Sequence, residues 1–191
     1  MTNVQLLAKQ AGFDACYVTK CDSFPHYKRR LLDGALESAG MHLSADPAVE
    51  VPWATALLFL LTGYRPYAPS LHVSGIYPSS NLAYRRVNAL AAALGAEGVR
   101  AERVYVPVRE LALRTGVGMA CLNGLTAYDG FGTRVSVQTL AVDLPAPVYT
   151  PERPYRHCDN CGKCIAACPS HAIDGEGFHF TRCVRAYMGR E

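Results

Sequence analysis

The sequence of 191 residues predicts an α+β fold, in which a layered domain over residues 1–144 precedes a small cysteine-rich module over 157–191. Segments with strand and helix patterns alternate up to residue 143, and such alternation is typical of helices layered on a sheet. Four prolines then interrupt regular structure and mark a linker over 145–156. Five of the eight cysteines lie beyond that linker.

The first half of the layered domain contains two helix patterns and two strand patterns. In chain order we expect a helix over Asn3–Gln10 that stops at Gly12, a strand over Asp14–Thr19, a helix over His26–Ala39 closed by Gly40, and a strand over Thr55–Leu61. The last segment is a continuous apolar run of strand length, which fits a sheet covered on both faces.

The second half opens with the clearest helix pattern, Asn81–Leu94, for which Asn81 is a candidate N-cap. Its apolar face consists of Leu82, Val87, Leu90, Ala91 and Leu94. A strand over Arg103–Val108, a helix over Arg109–Arg114 ended by Gly116, and a strand over Arg134–Val142 complete the domain. Along that last strand, one face carries Val135, Val137, Thr139 and Ala141.

Composition and charge exclude several classes of protein. The net charge of +3 is too small to indicate a nucleic-acid-binding protein by itself. The most apolar stretch, Ala54–Leu61, is far shorter than a membrane span, and the N-terminus lacks the apolar core of a secretion signal. We therefore expect a cytoplasmic protein that does not enter a membrane. Cysteines in a reducing compartment favour metal binding, with Cys16 and Cys21 as bystander thiols.

The cysteine module carries the strongest chemical signal. Cys158, Cys161, Cys164 and Cys168 stand in the pattern C-x2-C-x2-C-x3-C and are followed at once by a proline. This is the bacterial ferredoxin pattern for binding iron–sulfur clusters, in which one tight loop wraps around the corners of a cubane. Zinc sites usually separate two cysteine pairs by a dozen residues or more, and disulfides belong to secreted proteins. The sequence therefore predicts a [4Fe–4S] cluster.

The identity of the fourth cluster ligand stays open. In two-cluster ferredoxins the fourth cysteine of this run binds the other cluster. Only Cys183 follows Cys168 in this sequence, so it supplies one complete cluster and not two. Cys158, Cys161 and Cys164 are predicted ligands, and their partner is Cys168, Cys183, a residue of another subunit, or an open coordination site. We favour Cys183.

The segment Thr115–Gly132 is unusually rich in glycine. Glycine allows a ligand to approach the backbone closely or the backbone to take positive φ, but a plain loop explains the composition equally well. The stretch from Gly116 to Cys121 matches a dinucleotide-binding fingerprint only in part, because Cys121 replaces the third glycine. We reject that interpretation.

Several segments together resemble the epoxyqueuosine reductase family, whose members are cobalamin-dependent iron–sulfur enzymes related to reductive dehalogenases. Residues Ala39–Tyr67 resemble a stretch of the family pattern that contains G-x-M, then ADP, and ends in a tyrosine. Residues Val106–Leu144 resemble a second stretch that contains R-E, G-x-G and N-x-L and ends in aspartate and leucine. The cysteine module follows at the expected place, and Cys183–Tyr187 resembles the family's C-I-S-Y-L.

The resemblance implies a nitroreductase-like, cobalamin-binding first domain and a ferredoxin-like module behind it. A corrinoid would lie against the glycine-rich segment, with Gly116, Gly118, Cys121 and Asn123 as candidate binding residues. A ferredoxin or flavodoxin would reduce the cluster, and the cluster would reduce the corrinoid or a substrate. The alternatives are a non-enzymatic protein for electron transfer or corrinoid handling, and a structural or redox-sensing cluster. A homodimer is compatible with each.

The sequence also departs from the family pattern. When the leucines of the predicted helix are aligned with those of the family, Asn81 stands at the position of the aspartate that donates a proton to the epoxide. An amide side chain cannot act as that acid. Leu122 replaces the family's lysine, and the sequence shows neither a second cysteine run nor the helical repeats that contribute to tRNA binding. We therefore expect neither tRNA binding nor epoxyqueuosine reduction, and we assign no catalytic residue.

Overall fold

The structure is a computed structural model that describes residues 2–32, 43–64, 75–154 and 156–187. In chain order the elements are α1 (Val4–Gln10), β1 (Ala15–Thr19), α2 (Pro25–Leu32), α3 (Pro47–Glu50), β2 (Ala56–Gly63), α4 (Ile76–Ala96), β3 (Ala101–Arg103), α5 (Val108–Arg114), β4 (Gly118–Ala120), β5 (Thr126–Tyr128), β6 (Val135–Val142), β7 (Arg156–His157), α6 (Lys163–Ala167), β8 (Ile173–Asp174), β9 (Gly177–Phe178), a 3₁₀ helix (Phe180–Arg182) and α7 (Val184–Tyr187). The predicted α+β fold is confirmed.

The first domain is organised around a four-stranded sheet in the order β1–β2–β6–β3, with antiparallel pairing throughout. Successive side chains of a strand point to opposite faces. Leu58 and Leu60 of β2 accordingly pack with α1 and α4 on one face, whereas Leu57, Phe59 and Leu61 pack with α5 on the other. The continuous apolar run therefore marks a strand buried on both faces, as predicted.

The longest helix begins earlier than its apolar pattern predicts. Helix α4 starts at Ile76 with Gly75 at the N-cap, so Asn81 lies inside the helix and does not cap it. The buried stripe runs through Ser79, Ala83, Val87, Leu90 and Leu94, each three or four residues after the one before it. Leu82 lies outside this stripe and is 38% exposed, contrary to prediction.

Two other predicted elements differ in length. The strand expected over Arg103–Val108 is β3, which ends at Arg103, although Val104 and Val106 are buried. Pro107 within that segment has no N–H to donate to a sheet. The helix expected over His26–Ala39 is α2, described as far as Leu32, and residues 33–42 lie outside the described residues.

The glycine-rich segment is not the plain loop that its composition allows. Strands β4 and β5 form an antiparallel hairpin in it, and β7 joins β4 in parallel to make a three-stranded sheet in the order β5–β4–β7. Strands of two or three residues are too short to show a period, which is why the sequence did not reveal them. The glycine-rich segment and the start of the cysteine-rich segment are thereby joined in one sheet, and the division of the chain into two domains stays a prediction.

The proline-rich segment runs along the edge of the main sheet. The Thr150 N–H donates to the carbonyl of Val18 over 2.8 Å, and the Val18 N–H donates to the Thr150 hydroxyl over 3.0 Å. The Arg153 N–H donates to the Thr115 carbonyl over 3.0 Å. No helix in the described parts of the chain combines the length and apolar character that crossing a membrane requires.

Candidate metal centre and neighbouring cavity

The cysteine loop begins directly after β7. Within it, Asn160 and Gly162 have φ values of 54° and 73°, in the left-handed region. These two residues bend the chain between successive cysteines, and glycine takes this conformation without strain. A side-chain carbon on Gly162 would meet nothing within 4 Å, so the glycine is needed for its backbone conformation rather than for close approach.

All eight cysteines are free thiols in the structure, which is contrary to a disulfide framework. Within the predicted ligand set, Cys161 is exposed, and Cys158 and Cys164 are half-buried. Thiolates are the ligands that iron–sulfur clusters take, and three of them on one tight loop match the donor set of a cubane. The residues present therefore fit a [4Fe–4S] cluster.

A further cysteine, Cys121, lies beside this loop. It directly follows β4, just as Cys158 directly follows β7, and Ala120 pairs with His157 in the parallel ladder. Burial raises the pKa of the Cys121 thiol, and the neighbouring Cys158 and Cys164 thiols raise it further when charged. The Ala127 N–H opposes this increase.

The other two cysteines of the module lie beside the β8–β9 hairpin. The Cys168 thiol accepts a hydrogen bond of 3.3 Å from the N–H of Ala172, the residue directly before β8. Cys183 follows Arg182, whose guanidinium is 3.0 Å from the Asp174 carboxylate in β8. Whether Cys168 or Cys183 binds the cluster stays a prediction.

A large cavity lies among α2, α5 and β6. Its volume is about 1180 Å³, and it is lined by residues from segments 22–27, 103–110 and 137–139, with Leu43, Leu113 and Arg114. Helix α5 holds one wall in place: the Glu110 carboxylate accepts from the N–H groups of His26 and Tyr27, and Arg114 donates to the Ser23 carbonyl. Nothing in the linear sequence indicated this cavity, because its walls come from segments far apart in the chain.

The four residues proposed to bind a corrinoid do not line this cavity. A side-chain carbon on Gly116 would lie 2.2 Å from the Arg153 carbonyl oxygen, and one on Gly118 would lie 2.5 Å from Thr126. Asn123 closes the β4–β5 turn, where its side chain accepts from the Leu125 N–H over 3.1 Å. The structure thus gives these glycines a packing role, and it places Cys121 beside the cysteine loop.

Asn81 lies exposed in the second turn of α4, not ahead of a helix as the family register requires. The correspondence between Asn81 and the family's acid stays a prediction. The absence of an acid is independent of the register, however, because residues 51–96 contain no aspartate or glutamate.

Comparisons with known proteins agree with this architecture. A family profile described as 4Fe-4S binding domain matches residues 154–174. An epoxyqueuosine reductase of Xanthomonas campestris is 28% identical over 89% of this chain and 55% of its own length. One of Burkholderia pseudomallei is 33% identical over 44% of this chain and 23% of its own length.

Solved structures extend the similarity to the fold. The epoxyqueuosine reductase of Streptococcus thermophilus has a TM-score of 0.74 at 21% identity, covering 95% of this chain and 55% of that one. A reductive dehalogenase, whose structure suggests a mechanism for B12-dependent dehalogenation, has a TM-score of 0.58 at 16% identity, covering 90% of this chain and 25% of that one. The chain spans about half the length of the Xanthomonas campestris and Streptococcus thermophilus epoxyqueuosine reductases.

The fold and the cysteine loop together define an iron–sulfur protein with a 4Fe-4S binding domain. More particularly, the protein resembles the epoxyqueuosine reductases in sequence and fold, and it shares its fold with reductive dehalogenases. The predicted resemblance and the predicted cluster are confirmed.

Proposed function

We propose that the protein is an oxidoreductase in which the [4Fe–4S] cluster passes electrons to a corrinoid bound in the cavity beside α5. One contact carries this proposal. Arg109 lines the cavity, and its guanidinium donates to the carbonyls of Gly124 and Leu125 in the β4–β5 turn. The same turn begins at Cys121, which directly follows β4 just as Cys158 directly follows the paired strand β7. The Arg109 side chain therefore connects the cavity wall to the turn that carries Cys121.

The size and walls of the cavity suit a large planar cofactor. Pockets for drug-sized ligands have volumes of about 300–1,000 Å³, and this one is about 1180 Å³. Valine, leucine, proline and tyrosine side chains supply apolar walls. Arg103 is fixed at one side, 4.3 Å above the ring of Tyr84 and 2.7 Å from the Tyr105 hydroxyl.

The division of roles follows from these positions. A bound corrinoid supplies a cobalt centre for redox chemistry. The apolar walls would exclude water from a bound corrinoid, and Arg103 and Arg109 would supply positive charge at the cavity wall. Electrons enter from a ferredoxin or flavodoxin at the outer side of the loop, where Cys161 and Lys163 are exposed.

A second candidate function is electron transfer without a corrinoid. The observation that favours it is the absence of any carboxylate between residues 51 and 96, the part of the chain where the related enzymes are expected to carry their acid. Under this alternative the cavity holds no cofactor, and the cluster alone exchanges electrons with a partner.

Anaerobic titration with cobalamin, followed by absorbance and calorimetry, separates the two. Under the proposed function we expect saturable binding at micromolar concentrations with the cluster intact. Gln138→Trp places a large ring in the cavity on β6 and should weaken binding at least tenfold. Val148→Trp, on the 70%-exposed linker position outside the cavity, is the matched control and should bind normally. If the wild-type protein shows no saturable binding of cobalamin, the result contradicts the proposed function and supports electron transfer without a corrinoid.

A further inference from the structure

Cys121 is remote in sequence from the cysteine loop, yet it lies next to the start of that loop. Strands β4 and β7 run parallel, with Ala120 opposite His157, and both end at this point. The next residue in each chain segment is a cysteine, Cys121 or Cys158. Cys161 and Cys164 lie on the loop that follows Cys158.

The position of Cys121 is held firmly by its hairpin. Its N–H donates to the Leu125 carbonyl over 3.0 Å, and its carbonyl accepts from the Gly124 N–H over 3.1 Å. The module also packs on this turn, because a side-chain carbon on Gly124 would lie 3.2 Å from the Phe178 ring. The turn that carries Cys121 is therefore tied to the module by β7 and by Phe178.

We propose that Cys121 is the fourth ligand of the cluster held by Cys158, Cys161 and Cys164. This inference rests on the same [4Fe–4S] cluster as the proposed function, and it replaces the preference for Cys183 drawn from the sequence. On binding, the S–H bond of Cys121 breaks, an S–Fe bond forms, and the proton passes to solvent. No change of oxidation state is needed.

Cys168 is the fourth cysteine of its run, and in two-cluster ferredoxins the cysteine at that position binds a different cluster. The parallel pairing of β4 and β7 places Cys121 and Cys158 at adjacent strand ends, since each is the residue after a paired position.

The assignment has a consequence for electron transfer. Cys121 begins the turn whose Gly124 and Leu125 carbonyls accept from Arg109 at the cavity wall. A cluster bound to Cys121 thus has one of its ligands on the chain segment nearest the cavity. The other three ligands belong to the module.

The test is anaerobic cluster reconstitution of single variants of the full chain, with iron and sulfide analysis and EPR. Wild type should bind four irons and four sulfides, as one cubane requires. Cys121→Ala should bind three irons or fewer and give a three-iron EPR signal, and Cys121→Ser should regain part of the iron with a shifted reduction potential. Cys168→Ala, Cys183→Ala and Cys16→Ala are matched controls and should keep four irons.

A second measurement uses the wild-type protein alone. Alkylation and mass spectrometry should show Cys121 protected together with Cys158, Cys161 and Cys164 when the cluster is loaded, whereas Cys168 and Cys183 remain reactive. Alkylation of Cys121 in the loaded protein, or four irons in Cys121→Ala, would overturn the assignment while leaving the proposed function standing. If the wild-type protein binds no iron, both the assignment of Cys121 and the proposed function are contradicted.

Discussion

Ala120 and His157 face each other across the parallel pair of β4 and β7, and the residue after each of them is a cysteine. This pair joins the glycine-rich hairpin of the first domain to the start of the cysteine module. Asp129 reinforces the connection from the end of β5, because its carboxylate is 2.6 Å from Arg156 and 3.4 Å from Arg153. The turn that carries Cys121 is thereby tied to the start of the cysteine loop.

The first prediction concerns the number of clusters. Protein purified without oxygen should contain about four irons and four acid-labile sulfides per chain, because the run from Cys158 to Cys168 is present once. The visible spectrum should show the broad absorption of iron–thiolate charge transfer, which exposure to air should bleach. Eight of each atom per chain, or stoichiometric zinc without iron, would contradict this prediction.

The second prediction concerns the close contact between Gly116 and the linker. Gly116 has a φ of 65°, and an added side-chain carbon would lie 2.2 Å from the Arg153 carbonyl oxygen. Gly116→Ala should lower the free energy of unfolding by about 2–4 kcal/mol, since backbone strain and overpacking act together. The measurement is urea denaturation of the cluster-free protein.

Gly130 is the matched control for that experiment. Its φ is 76°, but an added side-chain carbon would meet nothing within 4 Å. Gly130→Ala should therefore lose only about 1 kcal/mol, from strain alone. Equal losses in the two variants would show that packing against Arg153 contributes nothing.

The third prediction concerns thiol reactivity in the cluster-free protein. Burial raises the pKa of Cys16 to about 12. Only about 10⁻⁴ of such a thiol is ionised at pH 8, so iodoacetamide should label Cys16 very slowly. Cys168 should react much faster: desolvation opposes ionisation, but N–H donors led by that of Ala172 outweigh it and lower the pKa. Comparable labelling rates at Cys16 and Cys168 would contradict this order.

The same shift makes stability depend on pH, which is the fourth prediction. The pKa of Cys16 is higher in the folded protein, about 12, than its ordinary value of 9.0. The folded state therefore holds this proton more tightly, so its contribution is complete below about pH 9 and is lost as the pH rises towards 12. When the free energy of unfolding is measured by urea denaturation at increasing pH between about 9 and 12, it should fall less for Cys16→Ala than for wild type. Parallel curves would contradict the assignment of the loss to Cys16.

The fifth prediction is that this chain does not reduce epoxyqueuosine in tRNA. A positioned general acid contributes about 10²–10⁴ to a rate, and no carboxylate lies between residues 51 and 96. Asn81→Asp should not restore activity, since Asn81 lies inside α4 rather than ahead of it. The assay is reduction of epoxyqueuosine-containing tRNA by protein reconstituted with cluster and cobalamin. Turnover at ordinary enzymatic rates would show that another group supplies the proton.

The sequence by itself determined the features that depend on local pattern. The apolar run of β2 predicted a strand buried on both faces, the helix pattern that stops at Gly12 predicted α1, and the cysteine spacing predicted the cluster loop. Each of these is decided by residues within a few positions of one another, where period, capping and ligand spacing act directly.

Only the tertiary structure decided the features that depend on contacts between distant segments. The strands β4, β5 and β7 are too short to have a detectable period, and they exist because they pair with one another. That pairing brings Cys121 beside Cys158, and it gives Gly116 its role against Arg153. The cavity likewise has walls from three separated segments. Spacing along the chain carries no information about such neighbours, because long-range pairing and packing, rather than local conformation, place them together.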